Sequence, residues 1–228
     1  MLWLIEHVEQ IQLSELVSLF PCLSEERREK VARFRHEPSA VQSALAELLL
    51  RHALREEYGL TELPKIETGE KGKPFFPVHP ELQFNLSHCA FAVACALDPS
   101  PLGVDVQEFR TLRRGRENSN VKPLFFVLSD PERAWVEAGE SPAEQDRRFT
   151  AVWTCKEAWG KARGEGILYE LQSTAFLPQT GVWEQYGFAF HHWLEEDLAV
   201  TLCAAPSAGM PRKTLSFSEL KQEFTSAL

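Results

Sequence analysis

The sequence predicts an α+β fold built from two similar subdomains related by a pseudo-twofold axis, each a long helix packed on a small antiparallel sheet. Two observations carry this prediction. The first is an internal repeat: Leu23-Ser24-Glu25-Glu26-Arg27-Arg28 resembles Leu128-Ser129-Asp130-Pro131-Glu132-Arg133, and at the same offset of 105 residues 48–54 fall on 153–159, pairing Arg51 with Lys156 and Ala53 with Ala158. A third segment, 92–100, resembles 199–207 at an offset of 107. Agreement of three segments nearly in register is far less expected by chance than any one of them. The second observation is the order of elements. Each half runs from a short helix to a longer one and then to strands, and this order favours antiparallel sheets over a doubly wound parallel sheet.

Each element has a local cause. Ser24 followed by Glu25 and Glu26 reads as a helix start, because a serine oxygen accepts a free N–H of the first turn and carboxylates suit its positive end. Apolar residues recurring at three and four predict a longer helix over 39–57. The run 90–97, rich in Ala and Val, predicts a strand. Asp98-Pro99-Ser100-Pro101 then supplies the turn chemistry of a boundary, dividing the chain into halves 1–102 and 103–228. In the second half Ser129-Asp130-Pro131-Glu132 repeats the capped start, 143–163 the long helix and 198–204 the strand.

With 228 residues, 44% of them hydrophobic, the chain can bury one sizeable core or two modest ones. Thirty-three acidic residues against 24 basic ones leave a net charge of −9. That excludes a general nucleic-acid binder, a role that needs a basic face to displace counterions. No apolar run approaches the roughly 18 residues needed to cross a bilayer, and the amino-terminal stretch lacks the basic start of an export signal. The five cysteines are scattered without a CxxC pair. This pattern fits reduced, buried thiols in a soluble cytoplasmic protein better than disulfides or zinc ligands.

Three stretches place polar residues where periodicity alone asks for apolar ones. In Gly103-Val104-Asp105-Val106-Gln107-Glu108, a strand puts Val104 and Val106 on one face and Asp105 and Gln107 on the other, about 6–7 Å apart. An acid and an amide so placed can hold a hard cation; an exposed strand face has the same pattern. In 153–166, Trp153, Glu157 and Lys161 share one helix face, and Gly164 closes the helix. The carboxylate and ammonium there suit a metal and a phosphate; a surface Glu–Lys pair is the plain alternative. In the third stretch Lys71-Gly72-Lys73-Pro74 forms a basic turn that can face phosphate oxygens, and Ser87-His88 follows. Adjacent strand residues point oppositely and no GxSxG elbow exists, so a serine hydrolase is excluded. His88 is open to a nucleotide-contacting or a structural role.

Taken in order, GKP (72–74), NLSH (85–88), GVDV (103–106) and WTCKEAWGKARGEG (153–166) resemble the larger, two-halved class of 4′-phosphopantetheinyl transferases, the surfactin-synthetase-activating class. The resemblance spans Ser24 to Gly166. It implies transfer of the 4′-phosphopantetheine arm of coenzyme A to a serine of an acyl or peptidyl carrier protein, as used in polyketide, nonribosomal-peptide and fatty-acid synthesis, with release of 3′,5′-ADP. It also implies Mg²⁺, with Mn²⁺ as a substitute. Asp105 and Glu157 fall at metal-ligand positions and Lys161 at the phosphate-contacting lysine; these three form the implied catalytic set. Lys73, Ser87 and His88 fall on contacts to the nucleotide end of coenzyme A, which places the cofactor across the cleft between the halves.

Two departures stand out. Gln107 occupies a metal position where many members have Glu, leaving Gln107, a water or the neighbouring Glu108 to complete the site. Near 38–42, where members often carry an arginine for the 3′-phosphate, this chain has Pro38, Ser39 and Gln42, with Lys30, Arg33 and Arg35 as substitutes at hand. A catalytically silent coenzyme A or carrier-protein binding module is the rival reading, and a coenzyme A phosphohydrolase a more distant one. Arg110, Arg113, Arg114 and Arg116 form a basic run suited to greeting an acidic carrier or to lying in solvent. Because the two halves supply the whole cleft, a monomer is expected.

Overall fold

The computed structural model describes residues 1–109, 124–164, 172–206 and 209–226. The first half opens with β1 (Leu2–Glu6) and a series of helical turns that includes α1 (Leu13–Leu16). It continues through α2 (Glu25–Arg33), α3 (Glu37–Tyr58), the small hairpin β2 (Glu67–Thr68) and β3 (Pro74–Phe75), then β4 (Gln83–His88) and β5 (Ala92–Asp98). The second half contains β6 (Gly103–Glu108), α4 (Asp130–Glu137), α5 (Pro142–Arg163), β7 (Gly181–Gln185), β8 (Phe188–Leu194) and β9 (Leu198–Ala204). The chain closes with β10 (Arg212–Thr214) and α6 (Phe217–Ser226).

The expected signals act where the sequence placed them. The Ser24 hydroxyl accepts from the Arg27 amide at 3.2 Å, and at the start of α4 the Glu132 carboxylate accepts from the Ser129 amide at 2.7 Å. Helices α3 and α5 each run 22 residues and end on a left-handed glycine, Gly59 and Gly164, a conformation open to a residue without Cβ.

One sheet has the order β10-β1-β5-β4 and the other β6-β9-β8-β7. Every pairing is antiparallel except β10 on β1. The period-two alternation of the strands decides the layers. Trp3, Ile5, Val93, Cys95 and Leu97 pack under α3, whereas Leu2, Leu4, Ala92, Ala94 and Ala96 meet Val104, Val106, Val200 and Leu202 of the second sheet. On the far side of that sheet Cys203 and Phe190 receive Cys155, Ala158 and Ala162 of α5. The result is helix on sheet on sheet on helix, α+β with antiparallel sheets in two halves.

The segment 103–228 does not stay with the second half throughout. Arg212–Thr214 pairs in parallel with Leu2–Leu4, and α6 packs on α3, where Glu223 accepts from Arg55 at 2.9 Å and meets His52 Nδ1 at 2.5 Å. Among the described residues no helix is long and apolar enough to cross a membrane.

Candidate active site

Strand β6 and helix α5 touch along their backbones. A Cβ added at Gly103 would lie 2.1 Å from the Ala158 carbonyl and 2.4 Å from the Ala162 amide, so only glycine permits this approach. The approach brings Lys161 onto β6. Its ammonium donates to Asp105 Oδ1 at 2.7 Å, to the Val104 carbonyl at 2.9 Å and to Ser87 Oγ at 3.2 Å. An ammonium has three donors, so all are engaged. The Ser87 hydroxyl donates in turn to Asp105 Oδ1 at 2.9 Å. Asp105 Oδ2 is buried and has no hydrogen-bond partner. Glu157, one turn before Lys161, is also buried. With Lys161, Gly160, Asn85 and Lys73 it lines a cleft of about 280 Å³ where the two halves meet.

Gln107 is buried on the same face of β6 as Asp105. Glu108 points the other way and accepts from the Ala90 amide at 3.2 Å, which commits it to the β4–β5 turn. Among the described residues no group of three His, Cys, Asp or Glu side chains is arranged to hold a metal. Two carboxylates and an amide are nonetheless hard oxygen donors of the kind Mg²⁺ takes when a substrate's phosphates complete its shell. The orphaned Oδ2 of Asp105 is the buried polar atom such an ion would satisfy.

A second hollow of about 400 Å³ lies next to this site, walled by His36, Pro38, Gln42, His88 and Gln107. Partial burial of its ring, followed by the positive charges of Lys161, Lys30 and Arg27, holds the pKa of His88 below the usual imidazole value. These cations lie close to His88, while Glu9 and Glu108 also line the hollow.

Two family models together match residues 10–203. Residues 101–203 match the model of the 4′-phosphopantetheinyl transferase superfamily, and residues 10–100 match that of the 4′-phosphopantetheinyl transferase N-terminal region. The 4′-phosphopantetheinyl transferase psf-1 of Bacillus pumilus is 34% identical over 170 residues, covering 73% of this chain and 69% of its own length. The chain belongs to the 4′-phosphopantetheinyl transferases. A Bacillus subtilis member is 31% identical over 157 residues, covering 68% of this chain and 66% of its own length. The AcpT member of Salmonella typhimurium is 39% identical over 120 residues, covering 52% of this chain and 59% of its own length. The aligned stretches therefore span roughly two thirds of these relatives or less.

The eight residues singled out from the sequence fall in three places. Asp105, Ser87 and Lys161 meet at the β4–β6–α5 junction, with Glu157 one helical turn away along α5 and Gln107 two residues along β6 at the neighbouring hollow. His88 lines the neighbouring hollow, and Lys30, exposed on α2, is one of the cations acting on it. Lys73, expected at the nucleotide, donates to the carbonyls of Leu102 and Ala162 at 3.1 Å each, and burial lowers its pKa. Ser87 is buried rather than open to a nucleotide.

Three features escaped the sequence reading. Arg27 joins Lys30 in the field around His88. Asn85 Oδ1 accepts from the Val104 amide at 2.9 Å. Lys156, beside Glu157, is fully buried in an ion pair with Glu132 at 2.9 Å. A cation in a helical sequence reads as a solvated residue, and only the arrival of Glu132 from α4 reveals otherwise. Arg110, Arg113, Arg114, Arg116, Glu165 and Gly166 lie outside the described residues.

Proposed function

We propose that this transferase moves the 4′-phosphopantetheine arm of coenzyme A onto a serine hydroxyl of an apo acyl or peptidyl carrier protein, releasing 3′,5′-ADP, and that its chemistry is carried by Asp105, Glu157 and Lys161. The observation that carries the assignment is the meeting of Asp105 and Lys161 at 2.7 Å beside an uncommitted carboxylate oxygen. Asp105, Glu157 and Gln107 would hold Mg²⁺, or Mn²⁺ in its place. Bound there, the ion supplies Lewis-acid neutralisation of pyrophosphate charge.

The chain's own groups do the rest. Lys161 steadies charge on the departing phosphate. With its three donors already committed, it reaches that oxygen by yielding its longest bond, the one to Ser87. Glu157, directly or through a water, takes the proton of the carrier serine. His88, with Lys30 and Arg27 as cations close to it, would contact the nucleotide phosphates. Lys73 keeps one donor of three beyond its two carbonyl bonds and can offer it to the nucleotide.

The same reading extends to architecture. Helices α2 and α3 recur as α4 and α5 at the offset of the sequence repeat, and β1-β5-β4 and β6-β9-β8 have like order; both support a pseudo-twofold relation between halves 1–102 and 103–228, apart from the returning β10 and α6. A cleft furnished within one chain supports a monomer. Five free thiols, four of them buried, support a reducing, cytoplasmic setting.

The test is to incubate the protein with coenzyme A, Mg²⁺ and an apo carrier and to weigh the carrier. A gain of one arm per carrier is the expected result. Bound coenzyme A with no gain would make the chain a silent binding module, and coenzyme A cleaved without carrier a phosphohydrolase.

A further inference from the structure

Strand β6 is an edge of its sheet, bonded to β9 on one side. The backbone groups on its other side point away from β9 and need partners, because a buried N–H or C=O left unpaired is costly. Side chains supply them in succession. Lys73 donates to the Leu102 carbonyl at 3.1 Å, Asn85 Oδ1 accepts from the Val104 amide at 2.9 Å, Lys161 donates to the Val104 carbonyl at 2.9 Å, and Ser87 Oγ accepts from the Val106 amide at 3.2 Å. Asn85 and Ser87 are alternate residues of β4, so one face of a first-half strand closes the open edge of a second-half strand.

Ser87 has a further duty. Its hydroxyl gives its one proton to Asp105 Oδ1 at 2.9 Å and accepts from Val106 and from Lys161, each at 3.2 Å. A hydroxyl offers one donor and two lone pairs. Ser87 is therefore saturated and has nothing left for a ligand unless this junction opens.

We infer that Asn85 and Ser87 are positioning residues: they lock β6 against the first half, and Ser87 holds Asp105 by Oδ1 so that Oδ2 remains its working oxygen. The inference takes its kinetic consequence from the transferase reading, while its geometry stands apart from that reading. It assigns the Asn-Leu-Ser segment of β4 to the alignment of the metal and phosphate groups, and not to direct contact with the nucleotide.

The experiment compares Ser87→Ala, Ser87→Thr and Asn85→Ala with the wild type. In Ser87→Ala, kcat for carrier loading should fall roughly 10- to 100-fold, the usual effect of removing a group that orients a metal ligand. The KM for coenzyme A should stay near the wild-type value, and Mn²⁺ affinity, read by electron paramagnetic resonance, should weaken by a similar factor. Ser87→Thr keeps the hydroxyl and should restore most of both. Hydrogen exchange should quicken at the Val106 amide in Ser87→Ala and at the Val104 amide in Asn85→Ala.

A raised KM for coenzyme A with kcat and Mn²⁺ affinity unchanged would overturn the inference and make Ser87 a ligand contact. Unchanged exchange at Val104 and Val106 would overturn it as well. If Ser87→Ala fails to fold, Ser87→Thr and Asn85→Ala still decide. Should the wild type load no carrier, the transferase reading fails by itself, and the exchange and Mn²⁺ measurements continue to judge the positioning claim.

Discussion

Replacing Gly103 with Ala tests the contact on which the site depends. The added methyl carbon would sit 2.1 Å from the Ala158 carbonyl oxygen, 2.4 Å from the Ala162 amide nitrogen and 2.8 Å from Lys161 Cβ, where ordinary contact begins at 3.4 Å. Two of the three neighbours are helix backbone and cannot rotate aside. Strand and helix must therefore part by about 1 Å, at a cost of about 1–3 kcal/mol typical of overpacking a close-packed interior. For a chain of this size each kcal/mol lowers Tm by about 2–4 °C, so melting should drop by about 2–12 °C.

The same shift would stretch the 2.7 Å contact between Lys161 and Asp105 past the range of a hydrogen bond, and a displacement of about 1 Å at reacting groups lowers rate by about 100-fold. The assay pairs thermal melts with carrier-loading rates at saturating coenzyme A. Gly209→Ala, where an added Cβ meets nothing within 4 Å, serves as the control and should stay within about 0.5 kcal/mol of the parent. Wild-type melting and loading in Gly103→Ala would refute the apposition of β6 and α5.

Further expectations follow from the site and the core. Asp105→Ala and Glu157→Gln should each lower carrier loading by about 100-fold or more while coenzyme A binding, measured by calorimetry, changes less; near-normal turnover in either removes it from the chemistry. Gln107→Glu should lower the Mg²⁺ concentration for half-maximal rate by adding an anionic oxygen, whereas Glu108→Gln should leave that value in place, since Glu108 serves the Ala90 amide. The reverse pattern would make Glu108 the ligand.

Stability should fall in mild acid. Burial pushes the pKa of His192 down to about 4, so between pH 6.5 and 4 the unfolded chain binds a proton that the folded chain refuses. Over that window the folded state loses up to about 3 kcal/mol. Denaturant titrations at pH 7 and 5 read the loss, and His192→Asn should flatten it; an equal slope in the variant would acquit His192. Glu132→Gln should destabilise by about 3–5 kcal/mol by removing the carboxylate charge that offsets the buried Lys156; a chemical-denaturation shift under 1 kcal/mol would contradict that pairing.

Much of this was legible in the sequence because the signals are local. Ser24, Glu132 and Gly164 mark helix ends by groups they satisfy within one turn. The expected helices 39–57 and 143–163 became Glu37–Tyr58 and Pro142–Arg163, since periodicity persists through both. Alternation along 103–108 put Asp105 and Gln107 on one face and Glu108 on the other.

What escaped depends on segments far apart in the chain. Three residues, Arg212–Thr214, are too few to announce a strand, and their pairing with β1 arises only once Leu2 and Leu4 are seated in the core. Lys73 reads as a free cation until the carbonyl ends of 102 and 162 converge on it. Ser87 and Asn85 read as ordinary strand polar residues until β6 arrives with an open edge.

The central claim is that Asp105 and Lys161, brought together by Gly103 and Ser87, perform arm transfer. The most direct measurement follows 3′,5′-ADP release and carrier mass in the same Mg²⁺ reaction, for the wild type and for Asp105→Ala. The account predicts one 3′,5′-ADP per arm gained by the carrier serine in the wild type, and near loss of both in the variant. Release of 3′,5′-ADP without carrier gain, or equal loading by Asp105→Ala, would contradict it.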